Sequence, residues 1–177
     1  MERRKFVVGL GALASGSAAA VGTGAFTNIT ATRNVDVSVA DDASAYLRLQ
    51  GTGGDNSAYV TDDGDGGTLS INLDGDNSTT EGGQGVNPDA LTEIDSLFTI
   101  ENQGTQEVTV SISKDGANSD LVKFYPSTSY SSAIGSNPLT LGTGDSETVS
   151  IEIDTRGAGV GDGDELLDGV TFTADAT

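Results

Sequence analysis

The fold is decided by one stretch, Leu97-Phe98-Thr99-Ile100-Glu101-Asn102-Gln103-Gly104-Thr105-Gln106-Glu107-Val108-Thr109-Val110-Ser111-Ile112. Apolar and polar residues alternate on both sides of a polar centre at Asn102-Gln103-Gly104. A period of two gives an extended chain one apolar face and one polar face. We therefore expect two half-buried strands joined by a tight turn within Ile100–Val108, which is a β-hairpin.

The same alternation recurs along most of the chain. Clear period-two runs are Val35–Val39, Leu69–Leu73, Val108–Ile112, Val149–Ile153 and Val170–Ala174, and shorter candidate strands are Tyr46–Leu49, Leu97–Ile100 and Leu121–Tyr125. Clusters of Gly, Asp, Asn and Ser separate these runs and supply turn residues. The stretch Leu141–Val149 likewise predicts a turn into a strand. We expect an all-β chain: one antiparallel β-sandwich, jelly-roll or immunoglobulin-like, with about seven to nine strands.

Only one segment has helical character. Asn87 is a suitable N-cap and Pro88 suits the first helical position of a short helix ending near Ile94. At most one short helix is therefore expected. The non-periodic stretch Gly75–Gly85 is interpreted as a surface loop, and no domain boundary is predicted.

The N-terminus has the pattern of an export signal. Arg3 and Arg4 precede Phe6, and a small, apolar run follows from Gly9 to Val21. That run is shorter than the ~20 apolar residues of a membrane span, although an N-terminal anchor is the alternative interpretation. The paired arginines with a nearby aromatic residue are typical of twin-arginine signals. We expect a secreted or cell-surface protein that contacts a membrane only through the uncleaved signal.

Cleavage of this signal is expected between Ala25 and Phe26. Cleavage after Ala20 is the alternative, because Ala18-Ala19-Ala20 also offers small residues at the two positions that a signal peptidase recognises. The preferred site makes residues 1–25 the signal peptide and residues 26–177 the sandwich domain.

The composition is strongly acidic. The chain has 27 acidic and 8 basic residues, a net charge of −19. Such a surface repels nucleic acid and anionic membranes, so neither is an expected partner. At about 1 M salt the Debye length falls to about 3 Å and the self-repulsion is largely screened. We therefore expect a halophilic source. Disorder is the competing interpretation of the charge, but the apolar residues are ordered in alternating runs.

Enzymatic chemistry is not expected. The chain has no Cys and no His, which excludes disulfides, Ser-His-Asp triads and the usual zinc sites. Carboxylates are abundant, but there is no Trp to line a sugar cleft. We predict no catalytic residues and no cofactor.

Calcium is the one metal that the sequence suggests. Asp74 and Asp76 lie on a Gly-rich turn, where closely spaced carboxylates can supply several of the oxygen ligands that calcium needs. With Asp74 counted as the first position, the twelfth is Gly85 rather than Glu, so the EF-hand pattern is not met. Asn28 and Asn77 each lie in an N-x-[ST] sequence and are candidate N-glycosylation sites.

Several stretches resemble a known family. The junction Gly22-Thr23-Gly24-Ala25-Phe26-Thr27-Asn28, the segment Phe98–Gly104 and the turn Leu141–Ser146 are similar to corresponding parts of the TasA/camelysin family of secreted fibre proteins. The whole chain also resembles a set of haloarchaeal secreted proteins of unknown function. The metalloprotease activity linked to camelysin is not carried over, because this chain has no His.

The TasA/camelysin resemblance implies a jelly-roll-like subunit of an extracellular or biofilm filament. In such fibres the mature N-terminal segment adds as a strand to the next subunit, so the expected partner is a second copy of the chain. The donor strand would span residues 26–39, with its apolar anchors at Phe26, Ile29, Val35, Val37 and Val39. The alternative is a monomeric surface module that binds calcium or glycan.

Overall fold

The computed structural model describes residues 44–62, 67–74 and 85–177, together with positions 33, 40 and 83. The chain divides into two compact units, Met1–Val37 and Ser38–Thr177. Of the first unit only Arg33 is described. The predicted strand Val35–Val39 lies outside the described residues.

In its described part the second unit is all-β and its sheets are antiparallel, as the alternation predicted. Nine strands are described: β1 Leu47–Gly51, β2 Val60–Thr61, β3 Ser70–Ile71, β4 Leu91–Asn102, β5 Val108–Asp115, β6 Val122–Pro126, β7 Leu139–Leu141, β8 Ser146–Asp154 and β9 Gly169–Ala176. Two single 3-10 turns, Ser57–Tyr59 and Ser119–Leu121, are the helical elements among the described residues.

Two sheets form the sandwich, and a small two-stranded sheet adds to it. The larger sheet has the order β1-β4-β8-β6, the second has the order β7-β5-β9, and β2 pairs with β3. From β4 onward, each strand lies in the opposite sheet from the strand before it. The hairpin predicted over Ile100–Val108 is therefore wrong, because β4 and β5 belong to different sheets and the turn between them is a crossing.

Every second side chain of a strand points inward, and these apolar side chains form the core between the two sheets. Phe98 on β4 is fully buried, and its ring meets Phe172 on β9 edge-on at 5.7 Å and Phe124 on β6 at 6.4 Å. Edge-to-face ring pairs at such distances are favourable packing contacts. The aromatic contact between β4 and β9 joins the two sheets directly. The other fully buried apolar side chains are Leu97, Ile100, Val110, Ile134, Val149 and Ile151.

A β-bulge interrupts β4 between Ile94 and Phe98. Ser96 within it has a φ of 53°, a conformation that costs energy for a residue other than glycine. The Ser96 N–H donates to the buried Ser150 Oγ at 2.9 Å, and Thr52 Oγ1 donates to the Ser96 carbonyl at 2.8 Å. These two bonds hold the bulge, which lets the neighbours Leu97 and Phe98 both be buried.

The predicted helix at Asn87–Ile94 is also wrong, because Leu91–Ile94 is the beginning of β4. Thr155, at the end of β8, explains the difference. Its Oγ1 accepts the Ala90 N–H at 2.9 Å and lies 2.9 Å from the Asn87 carbonyl, while its own N–H donates to the Ala90 carbonyl at 2.9 Å. Long-range bonds thus extend the β4–β8 ladder over a segment whose local capping signals favour a helix.

The other predicted strands that fall within the described residues are confirmed, with one shortened. The run Leu69–Leu73 forms a strand only at Ser70–Ile71. Leu141–Val149 does turn into β8, through Gly144 with a φ of 81°, but the turn crosses between the sheets.

Candidate functional site

The edges of the two sheets are the candidate functional features, because a strand without a neighbour can pair with another chain. At β6, Pro126 lacks an N–H and the Phe124 carbonyl accepts the Ile134 N–H at 2.9 Å. The β7 strand is only three residues long. At β1, the Gly51 N–H is bonded to Asp62 Oδ1 at 2.8 Å. These three edges are short or partly occupied.

The β9 strand has the longest open edge in the described part of the chain. Its eight residues pair with β5 on one side, and no described strand lies on the other. The Thr177 N–H donates to the Glu107 carbonyl at 3.2 Å. Since inward and outward groups alternate along an antiparallel strand, the backbone groups of Val170, Phe172, Ala174 and Ala176 point away from β5.

Beside the β9 edge, the side chains that face the core are incompletely covered. Val170 and Phe172 pack on the core but are only half-buried. Ala174 and Ala176 share their face by alternation, and both are exposed. An additional strand here would cover the face of these alanines and bury the rest of Phe172.

A second free edge lies along the first half of β4. The β1 strand pairs with β4 only from Phe98 to Asn102, so Leu91–Asp95 has β8 as its one described strand neighbour. A cleft of about 430 Å³ lies beside it. Residues lining this cleft are Asn56, Tyr59, Leu73, Gly85, Val86, Asn87 and Thr92 through Asp95.

The buried Asn102 holds together two of the crossings between the sheets. Its Nδ2 donates to the carbonyls of Gln106 at 2.7 Å, Leu141 at 3.0 Å and Gly142 at 3.2 Å, and its Oδ1 accepts the Gly104 N–H at 2.9 Å. With 2% of its surface exposed, this amide has few alternatives to these partners. Asn102 therefore fixes the β4–β5 and β7–β8 crossings relative to each other.

The outer face of the larger sheet is acidic, and several of its polar side chains contact one another. Glu93 lies directly opposite Glu152 on the neighbouring strand, and Lys123 Nζ contacts Glu152 Oε1 at 3.2 Å. Tyr130 donates its hydroxyl to Asp95 Oδ1 at 2.7 Å and packs edge-on against Tyr125 at 5.3 Å. Burial, and then the bond to Asp95, raises the pKa of the Tyr130 phenol, so it stays a neutral donor.

The basic residues of the strand-bearing unit are already engaged. Arg48 contacts Glu101 at 2.9 Å, and Arg156 contacts Asp154 at 2.8 Å. Arg156 holds the pKa of Asp154 at about 2. Lys114 Nζ donates to the Ser119 and Val122 carbonyls at 2.6 and 2.5 Å, and burial lowers its pKa. The remaining surface is dominated by carboxylates, so a charged partner would have to be cationic.

We expect the melting temperature to rise with salt between about 0.1 and 3 M KCl, because screening relieves the repulsion among carboxylates. Glu93→Gln should raise it by about 1–3 °C at low salt and hardly at all at high salt, since like charges opposite one another cost roughly 0.2–1 kcal/mol. Asp115→Asn, at an exposed acid on β5, is the control and should change it less. Equal melting temperatures at all salt concentrations would contradict the prediction.

The residues predicted to bind calcium are not brought together with others in the described part of the structure. Asp74 is exposed and donates its backbone N–H to Asn72 Oδ1 at 3.0 Å, whereas Asp76 lies outside the described residues. Within residues 44–62, 67–74 and 85–177 no three acidic side chains are grouped so that they could hold a metal ion. Asp62 and Asp164 instead accept backbone N–H groups of Gly51 and Gly161 at 2.8 Å.

The remaining predicted site residues also lie outside the described residues. They are the cleavage pair Ala25 and Phe26, the anchors Ile29, Val35, Val37 and Val39, and the glycosylation candidates Asn28 and Asn77. Among the described residues no helix is long and apolar enough to cross a membrane.

Sequence reasoning missed Asn102, Thr155 and the β4 cleft. A polar residue at an apolar-phase position of a strand, as at Asn102 after Phe98 and Ile100, was the available signal for a buried amide. No local pattern marks the cleft, because its lining comes from three separate parts of the chain.

The fold and its open edges define a two-sheet antiparallel β protein. A family model described as "Protein of unknown function (DUF1102)" matches residues 39–175, and the chain belongs to this family. A comparison with curated proteins finds no match.

Proposed function

We propose that this chain is an exported structural subunit that forms extracellular filaments by strand addition. The segment from about Phe26 to Val39 of one copy adds to β9 of the next. The open edge of β9 carries the proposal: eight residues without a described neighbour, beside a core that is incompletely covered. Natural edge strands are usually shortened or blocked by Pro and Lys, and β9 contains neither.

In one antiparallel register the donor segment places its valines on the core face of this edge. The outward backbone groups of β9 belong to its even-numbered residues, so an added strand makes its close hydrogen-bonded pairs opposite them. The three valines of the donor share one face by alternation and can face the half-buried core. The resulting pairs are Val35–Ala174, Val37–Phe172 and Val39–Val170.

Charges disfavour one of the two neighbouring registers. The proposed register places Asp36 opposite Thr173 and Asn34 opposite Asp175. A shift of two residues would instead set Asp36 opposite Asp175, and like charges directly opposite are destabilising.

The sequence features outside the described residues support export and delayed assembly. A twin-arginine-like signal delivers a folded protein, and cleavage after Ala25 would release the donor segment only outside the cell. The resemblance to TasA/camelysin proteins and to haloarchaeal secreted proteins points in the same direction. The high acidic charge suits a subunit that assembles in concentrated salt, because neighbouring subunits then repel weakly.

The proposal is tested by negative-stain microscopy of the protein that starts at Phe26, in 2–3 M KCl. We expect filaments, and we expect their loss when residues 26–39 are deleted. Val37→Asp should also abolish them, because it places a carboxylate against the core beside Phe172. Ser38→Asp is the matched control: it adds the same charge one residue further, on the polar face, and should assemble.

The alternative of a monomeric binding module predicts a different result. The protein starting at Phe26 would then stay monomeric in sedimentation at every salt and protein concentration. Filaments that persist after deletion of residues 26–39 would instead refute the donor segment.

A further inference from the structure

We infer that the cleft beside the first half of β4 binds an extended peptide of another protein by strand addition, with a basic peptide residue facing Glu93 and Asp95. This site is separate from the β9 edge, and it does not depend on filament formation. Its ligand class is an extended segment in which apolar and basic residues alternate.

Backbone groups of β4 point into this cleft. The Thr155 N–H donates to the Ala90 carbonyl at 2.9 Å, which directs the even-numbered residues of this half of β4 toward β8. The groups of Leu91, Glu93 and Asp95 therefore point the opposite way. Asn56 Nδ2 donates a hydrogen bond to the Asp95 carbonyl at 2.6 Å, as the backbone N–H of an incoming strand would. The backbone groups of Leu91 and Glu93 have no partner among the described residues.

The floor of the cleft suits the apolar residues of such a peptide. Tyr59, Leu73, Val86 and Ile94 line it, pack against the core and are only half-buried. A volume of about 430 Å³ is within the range of roughly 300–1,000 Å³ typical of binding pockets. A peptide paired with β4 would place every second side chain on this floor.

Acidic side chains at the rim of the cleft favour a basic residue on the other face of the peptide. Glu93 and Asp95 are exposed and lie on the outer face of β4, and no described basic residue lines the cleft. Glu93 also lies opposite Glu152, so a cation added beside it relieves an existing repulsion. Lys123 is bonded to Glu152 on the far side of β8. A peptide carrying acids at the same positions is repelled.

The test measures binding of fluorescent eight-residue peptides by anisotropy in 0.5 M KCl, using the protein that starts at Phe26 with the fold verified by circular dichroism. One peptide alternates valine with lysine, and a second alternates valine with glutamate. We expect the lysine peptide to bind at least fivefold more tightly. Glu93→Gln should weaken its binding about threefold or more, whereas Asp115→Asn, on the other sheet, should leave it unchanged.

A third peptide separates strand addition from simple charge attraction. It is the lysine peptide with every second backbone nitrogen methylated. Two forms are made, one with the odd-numbered and one with the even-numbered nitrogens methylated, and we expect one of the two forms to lose binding. Absence of binding by the lysine peptide, equal effects of Glu93→Gln and Asp115→Asn, or full binding by both methylated forms would each overturn the inference. Tighter binding of a peptide with the sequence of residues 28–39 would also overturn it, by making a second copy the occupant.

Discussion

Ala174→Pro is expected to abolish filament formation while leaving the subunit folded. The backbone N–H of Ala174 points away from β5, so its loss breaks no hydrogen bond within the sandwich. Proline is tolerated on an edge strand where the N–H side is free. The ring removes one donor from the acceptor edge, and its bulk blocks the approach of Val35. Microscopy and sedimentation measure the loss of assembly, and thermal unfolding measures the fold.

Two further substitutions test whether the effect of Ala174→Pro comes from its outward N–H. Thr173→Pro removes an N–H that pairs with Ser111 on β5, and it should lower stability strongly rather than act on assembly alone. Ala174→Val keeps the N–H and enlarges the apolar face, so filaments should form as before. If Ala174→Pro filaments form normally, the acceptor edge is not β9.

Asn102→Asp is expected to lower the free energy of unfolding by about 3–5 kcal/mol. The change replaces a buried NH₂ group that donates to three carbonyls with a carboxylate oxygen that faces the same three carbonyls. A buried polar group left without its partner costs about 1–3 kcal/mol, and a buried charge costs more. Urea unfolding monitored by circular dichroism measures the loss.

The matched control is Asn118→Asp. Asn118 uses its NH₂ group for one exposed bond, to the Glu165 carbonyl at 3.2 Å, so the loss there should stay below about 1 kcal/mol. Burial raises the pKa of a carboxyl, and therefore the defect of Asn102→Asp should shrink as the pH falls and the new group becomes protonated. Equal losses for the two variants would show that the Asn102 amide does not hold the two crossings.

The period-two alternation predicted most strands correctly because it depends only on which side chains within a strand face the core. A residue pair such as Val108 and Val110 faces the core whichever strand lies beside it. The same alternation says nothing about the partner strand. The Asn102–Gly104 centre therefore looked like a hairpin turn, although β4 and β5 are in opposite sheets.

The helix predicted at Asn87–Ile94 failed for a related reason. A cap residue and Pro88 favour a helical first turn by a few tenths of a kcal/mol to about 1 kcal/mol. Three hydrogen bonds to Thr155, distant in sequence, outweigh this preference and continue β4 into the segment. Nothing near Asn87 in the sequence reveals that Thr155 will lie there.

Composition and the positions of the alternating residues were enough to establish the all-β class, the absence of His and Cys chemistry and the acidic surface. The sequence also supplied the expectations of export and of a donor segment. Which strands are neighbours, and hence which edges are open at β9 and along the first half of β4, is seen first in the folded chain. Strand pairing depends on contacts between residues far apart in the chain, and no local pattern encodes these.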